Sequence, residues 1–361
     1  MAQAAPLPPG ATTVGSRRRS SSRAADSSFR WGTLVIAFGL IALLGLLLWV
    51  LLAGGWESIT KFGFSFVTGR DWNPVTQAFG ALPFIFGTIV TSVIAIVLAV
   101  PVSVGLALLL NEVESGWLRN PMAVFVDLLA AIPSVIYGLW ALFILVPIFD
   151  KYVEPFLAHT IGHVPVIGAL FQIPGGGKVV TGGNLFVAGV VLAIMVIPIV
   201  TAVTREVIAI VPHDLREAAK GLGATRYETI RMAVLPYARS GIVGATMLGL
   251  GRALGETIAV ALVVGNGLGI GASLFRAGYT IPAVIANEFR EATLGVHRAA
   301  LLELALILVV ISLIMAALSR LLVGRTAALV GSGPASAIEA GEAAGIVYGA
   351  NVGLGPEEDS P

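Results

Sequence analysis

The sequence predicts an all-α integral membrane protein with six transmembrane helices and both termini in the cytoplasm. Three observations carry that expectation. The chain is 57% hydrophobic and only 12% charged, about half the charged share of roughly 25% found in soluble domains, so hydrocarbon is its solvent. Six apolar stretches, at about 31–53, 82–110, 122–149, 185–211, 241–265 and 299–323, match the roughly 20 residues a helix needs to cross a bilayer core. Arg17, Arg18, Arg19, Arg23 and Arg30 precede the first stretch and place the N-terminus in the cytoplasm, where positive residues are retained. The even number of crossings returns the C-terminus to the same side.

Residues 1–29, rich in Ala, Pro, Ser and Arg, are expected to form a disordered cytoplasmic tail, and residues 326–361 a second one. Between them lies one six-helix transmembrane domain, 30–325. The apolar run at 31–53 exceeds the core of a cleavable signal peptide and reads as a span. Cytoplasmic segments, together with the inner ends of their helices, hold twice the Lys and Arg of the outer loops, which supports the orientation. In the second span, Thr88, Thr91 and Ser92 are expected to satisfy backbone or neighbouring helices. Asp127, near the inner end of the third span, and Glu303, near the outer end of the sixth, are within snorkelling reach of the interface.

Several chemistries are disfavoured. There is no cysteine, hence no disulfide, thiolate metal site or cysteine nucleophile. A net charge of +1 leaves no basic face for nucleic acid. The outer loop at 150–184 contains His159, His163 and Gly175-Gly176-Gly177-Lys178. Its glycine run is not a phosphate-binding loop for ATP, because Gln172 replaces the first glycine and Val179 the magnesium-binding hydroxyl. Any ATP use is therefore expected in a separate subunit.

Between the fourth and fifth spans, the segment at 212–240 is the most charged stretch of the chain. Leu215, Ala218, Ala219 and Leu222 recur at helical spacing opposite Arg216, Glu217 and Lys220, which describes a short amphipathic helix. Asp214 with Glu217 forms one capping-box pattern, and Thr225 with Glu228 a second. Gly221 and Gly223 separate them, so helix, glycine bend, helix is expected. By itself this pattern fits a helical loop resting on the membrane surface as well as a knob offered to a partner.

Glu217-Ala218-Ala219, Gly223 and Leu235-Pro236 resemble the EAA loop of ATP-binding-cassette importer permeases. In that family the loop docks into a cleft on the ATPase subunit and transmits its closure. The resemblance implies coupling roles for Glu217, Ala218, Ala219, Gly223, Leu235 and Pro236.

The fifth span carries two opposite charges four residues apart, Arg252 and Glu256. A charge at bilayer mid-depth costs about 3 kcal/mol on insertion scales and normally faces a bundle interior or polar pathway. On a continuous helix the pair shares one face about 6 Å apart along the axis. Gly251 and Gly255 lie to one side, and Ala245, Gly249 and Ala253 to the other, small ridges that suit the centre of a bundle. A buried ion pair that merely fixes helix register is the bland reading. An oxyanion site is the sharper one, because guanidinium offers a planar, permanently charged donor fork.

The run GRALGETIAVALVVGN at 251–266 resembles the signature of PstC-type permeases of phosphate importers, and the likeness extends over most of residues 80–325. It implies a type I importer permease fold in a bacterial plasma (inner) membrane, with inorganic phosphate passing Arg252 and Glu256. It further implies a PstA-like permease, an ATPase dimer using Mg-ATP, and an extracytoplasmic phosphate-binding protein as partners. The chain itself is then expected to hold no cofactor and to catalyse no reaction. Competing readings are a permease for sulfate or molybdate, an anion channel or ion-coupled transporter, and a non-transporting scaffold.

Overall fold

In hydrocarbon a backbone can satisfy its polar groups only within itself, so long apolar runs become helices. The computed structural model describes residues 17–112, 116–165, 167–174, 183–292 and 295–331. Helix α1, Arg17–Phe62, is followed by a small outer hairpin pairing Trp72–Asn73 with Ala78–Phe79. Then come α2 (Leu82–Glu112), α3 (Gly116–Ala131), α4 (Ser134–Thr160) and α5 (Leu185–Ala209). Two cytoplasmic helices come next, α6 (His213–Gly221) and α7 (Arg226–Thr229). The latter runs through a π-turn, Ile230–Val234, into α8 (Leu235–Gly255). The chain ends with α9 (Ile258–Val263), α10 (Ile281–Glu288) and α11 (Val296–Gly331).

Four boundaries differ from expectation. Helix α1 begins at Arg17, inside the stretch expected to be an unstructured tail, and α11 continues past 325 to Gly331; residues 1–16 and 332–361 lie outside the described residues. The third span, expected at 122–149, is divided at Pro133, which has no N–H to donate and disfavours helix at the residue before it. Its crossing helix is Ser134–Thr160. The fifth, expected at 241–265, is also divided, between Gly255 and Ile258. Among the described residues, five uninterrupted helices, not six, are long and apolar enough to span a bilayer.

At the centre, α2 and α5 run parallel. Ser103 Oγ donates to the Ile197 carbonyl at 3.2 Å and Asn111 Nδ2 to that of Arg205 at 3.0 Å, both across the same sequence offset of 94. Buried Ala95, Ala99 and Ala107 keep α2 slim, and Gly189 of α5 lies against Ile94. Close van der Waals approach of small residues replaces the hydrophobic effect as the force between helices in lipid. Helix α8 crosses α5 antiparallel, with Gly241 on Val207 and Gly249 on Val196 and Val200. It also packs against α2 and α11, and so lies at the heart of the bundle.

Helix α11 joins α1 to this core. Gly54 and Gly55 of α1 meet Leu302 and the backbone of Glu303, while much of the remaining α1 surface, including Trp31, Val35 and Phe38, is exposed and apolar. Glu303 does not snorkel: it is buried in this seam. Of the three hydroxyls singled out in α2, Thr88 and Thr91 behave as expected, whereas Ser92 Oγ is buried with no hydrogen-bond partner among the described residues. Thr91 donates to the Gly87 carbonyl at 2.8 Å, and Thr88 donates to that of Phe84 at 2.7 Å while accepting from Ile281 N–H at 2.9 Å.

That last contact pins the outer loop preceding α10 onto α2 at Gly87, where an added Cβ would stand 2.1 Å from the Tyr279 carbonyl oxygen. Overpacking against backbone cannot be relieved by a rotamer change. Gly87→Val is expected to lower stability by about 1–3 kcal/mol, seen as a lower thermal unfolding midpoint of the purified protein in detergent.

Candidate functional site

Arg252 and Glu256 meet at the end of a helix rather than on a continuous one. Helix α8 stops at Gly255; Glu256 is extended, with φ −71° and ψ 129°, and α9 starts two residues later. Two local bonds hold the break: Glu256 N–H donates to the Ala253 carbonyl at 3.4 Å, and Thr257 Oγ1 to that of Gly255 at 3.2 Å. Arg252 Nη2 and Glu256 Oε2 remain 4.0 Å apart, a loose ion pair. The sequence expectation of a pair at i and i+4 therefore holds, but the fixed helical spacing does not.

The two charges differ in surroundings. The Arg252 side chain is 43% exposed and that of Glu256 only 8%. Around them, Ala245, Gly249, Leu250, Ala253 and Leu254 are buried, whereas Leu248, Gly251, Arg252 and Gly255 are exposed. These exposed positions recur at helical spacing and form one stripe. The two small-residue ridges thus have different roles: Ala245, Gly249 and Ala253 pack inward, while Gly251 and Gly255 clear space around the guanidinium.

Helix α9 occupies a tight slot. An added Cβ on Gly138 of α4 would lie 2.8 Å from Ala259 Cα, and one on Gly183 would lie 2.2 Å from the Val263 carbonyl oxygen. Next to it, Asn184 caps α5 by accepting from Val187 N–H at 3.0 Å and donates to the buried Glu154 carboxylate at 2.5 Å. Sequence reading missed this anchor, because its partners lie 30 residues apart. Of the outer-loop residues singled out, His159 and His163 make an edge contact with ring centroids 6.1 Å apart. The glycine run at 175–178 lies outside the described residues.

The cytoplasmic loop forms the expected helix, bend and helix. Gly223 takes φ +85°, a left-handed conformation that favours glycine. The second capping box is complete, with Thr225 N–H and Oγ1 donating to Glu228 Oε2 at 2.8 and 2.7 Å, and Glu228 N–H donating to Thr225 Oγ1 at 3.4 Å. The first is not formed. Helix α6 begins at His213 after an uncapped Pro212, so Asp214 falls inside the first turn rather than before it. Its N–H-rich first turn still favours the acidic side chain.

Helix α6 is turned the opposite way from an amphipathic helix lying on its own protein. Leu215 and Leu222 are exposed, together with Tyr227 and Met232 farther along. Of the charged side, Arg216 turns inward: its Nη1 contacts Glu112 Oε1 at 2.6 Å, and its Nη2 donates to the Ile208 carbonyl at 3.0 Å, while Glu217 and Lys220 stay exposed. Of the named loop residues, Glu217, Ala218 and Gly223 are exposed and Ala219 is half-buried. Ala219, Leu222, Gly223, Met232 and Ala233 line an open depression of about 480 Å³. Leu235 and Pro236 open α8 directly after the π-turn.

Known proteins share this arrangement of sequence. The family model for the binding-protein-dependent transport system inner membrane component matches residues 99–328, which include the cytoplasmic helices, the interrupted span and most of α11. The phosphate transport system permease protein PstC of Pasteurella multocida is 47% identical over 297 residues, covering 82% of this chain and 91% of that protein. PstC 1 of Mycobacterium tuberculosis is 40% identical over 304 residues, covering 82% of this chain and 88% of that protein. The chain belongs to the PstC family. As a PstC-family permease it is a multi-pass membrane protein and a component of a transport system.

The capping box supplies a test of the cytoplasmic helices in this PstC-family chain. Hydrogen bonds from the Thr225 backbone and hydroxyl hold the Glu228 carboxyl below its usual range. A group with a lowered folded pKa adds stability that is present above its unfolded pKa and lost as pH falls through the folded value. Thr225→Ala is expected to cost about 1 kcal/mol of local helix stability, read as faster amide hydrogen exchange over 225–229. Acidification through the carboxylate range should erode protection in the native chain and have little further effect in the variant.

Proposed function

We infer that this chain is the permease subunit of an ATP-driven inorganic phosphate importer and forms half of a translocation pathway that works by alternating access. The observation that carries the reading is the exposed stripe of α8, which presents one guanidinium among glycines beside a helix break. Family membership supplies the substrate, because the relatives are named phosphate transport permeases. A second, PstA-like permease would face this stripe, and the pathway would run between the two. An extracytoplasmic phosphate-binding protein would deliver the ion in a bacterial plasma membrane.

Arg252 is the residue assigned to phosphate. Its fork matches two oxygens of a tetrahedral anion, and its charge persists at any working pH. Glu256 moderates it. An unopposed cation in a site screened from water would trap phosphate, whereas transport requires binding weak enough to release. With Glu256 on non-helical backbone, small rotations at 256–257 change the 4.0 Å separation, so the carboxylate can hold Arg252 when the pathway is empty and yield it when the anion arrives. No bond in phosphate is made or broken.

Energy would enter through separate ATPase subunits using Mg-ATP. Their docking surface is the outward apolar side of the cytoplasmic helices, with Glu217, Ala218, Ala219 and Gly223 at its centre and Leu235 and Pro236 at the entry to α8. Because α7 passes into α8 without a loop, displacement of the docking surface reaches Arg252 along one helix. ATP binding and delivery of loaded binding protein then bias two pathway states by their differential affinity for each.

The test is ATP-dependent uptake of labelled phosphate into vesicles holding this chain and its partners, with excess sulfate as competitor and equal assembly confirmed. Uptake should resist sulfate and fall about ten- to a hundredfold in Arg252→Ala, as expected for losing a charged hydrogen-bond donor worth about 1.5–3 kcal/mol. Sulfate-sensitive uptake would move the substrate to another oxyanion, and uptake that survives loss of the ATPases would indicate a channel. Glu256→Gln should slow turnover while tightening apparent affinity; unchanged uptake in that variant removes its moderating role.

A further inference from the structure

The cytoplasmic end of the molecule contains a second concentration of positive charge, separate from the helix break. A cavity of about 290 Å³ opens between the inner end of α2, the start of α3 and the cytoplasmic helices α6 and α7. Four cations, Arg119, Arg216, Lys220 and Arg226, and two carboxylates, Glu112 and Glu217, converge on it. Glu112 is engaged by Arg216 at 2.6 Å. Arg119 and Lys220 form no ion pair among the described residues, and they approach the cavity from different helices. Thr229 and Asn111 add neutral polar groups to the wall.

Such a concave site focuses a positive field and favours a compact, multiply charged anion over a monovalent one. Guanidinium forks and an ammonium suit phosphate oxygens in particular. We propose that this cavity binds a phosphate group at the cytoplasmic face, where it bridges α3 to α6 and holds the cytoplasmic helices against the inner end of α2. Occupancy from the cytoplasm restrains the element that moves with the ATPases, so accumulated phosphate slows further import. The choice of inorganic phosphate as the regulating ion rests on the import reading; the cavity's affinity for the phosphate group does not. The same chemistry is offered by free inorganic phosphate and by the headgroup of an anionic lipid at the membrane surface.

Equilibrium binding of radiolabelled inorganic phosphate to the assembled transporter, without its binding protein and in nanodiscs of phosphatidylcholine, tests the site. Arg252→Ala is present throughout, so that the pathway does not contribute. Saturable binding is expected, and adding Arg119→Ala with Lys220→Ala should weaken it at least tenfold. Replacing part of the lipid by phosphatidylglycerol identifies the source: undiminished binding assigns free phosphate, and competition lost with the same two substitutions assigns the headgroup. Binding that ignores the two substitutions overturns the proposal. So does loss of ATPase subunits from the double variant without loss of phosphate binding, which would make these cations docking contacts.

A second readout tests regulation. With saturated binding protein present and Arg252 intact, millimolar phosphate should suppress ATP hydrolysis several-fold in the native complex and much less in the Arg119→Ala, Lys220→Ala variant. Equal suppression in both would place the inhibition in the ATPases and overturn the regulatory role. Because binding is read without transport, failure of the cavity and failure of the import reading appear in different assays.

Discussion

An interrupted helix at membrane depth must be enclosed by protein or line a polar cavity, because its freed backbone groups find no partners in hydrocarbon. The break at Glu256 and Thr257 meets that demand with two local bonds to the carbonyls of Ala253 and Gly255, and with close packing of α9 immediately after it. Gly138 and Gly183 leave room for that helix at distances no side chain would tolerate. On the other side, Ala245, Gly249 and Ala253 let α8 lie on α5. The parallel pairing of α2 and α5 supplies the rigid wall behind both. The geometry of Arg252 and Glu256 is thus a consequence of tight helix approach elsewhere in the bundle.

The second organising feature is the orientation of the cytoplasmic helices. Exposed Leu215 and Leu222 would be an unfavourable surface on an isolated protein, and exposed apolar patches of this kind characterise interaction sites. Their outward direction is fixed by Arg216, which is held at its far end by Glu112 and the Ile208 carbonyl. One inward-facing cation therefore decides which face of α6 is left exposed. From there, 226–255 forms a single helical path, about 45 Å long at roughly 1.5 Å per residue, between the exposed apolar face of α6 and the charged pair. The π-turn within it preserves helical continuity while shifting which faces align above and below it.

Much of this was legible in the sequence. Long apolar runs identify a membrane protein because bilayer thickness sets a length that few soluble segments reach. The bend at Gly223 and the capping box at Thr225 and Glu228 could be read directly, since each depends on residues within one turn. Likewise, Arg252 and Glu256 stand out because charge at membrane depth is costly wherever it occurs. The division of the third span also carried a signal, Pro133, although hydropathy averaged across it.

Other features depend on residues far apart in sequence. Nothing local tells that Arg216 turns toward Glu112, 104 residues away, that Glu154 anchors Asn184, or that Glu303 is buried in the α1 seam rather than at the interface. Nor does hydropathy reveal the break after Gly255, since the residues on either side remain apolar and the slot made by Gly138 and Gly183 comes from other helices. By itself the sequence determined the solvent, the helical class, the cytoplasmic capping and the identity of the charged pair, all of which depend on short-range periodicity and the cost of charge in hydrocarbon. Only the tertiary structure decided which faces are covered and where a helix yields, because those depend on how closely distant backbones can approach.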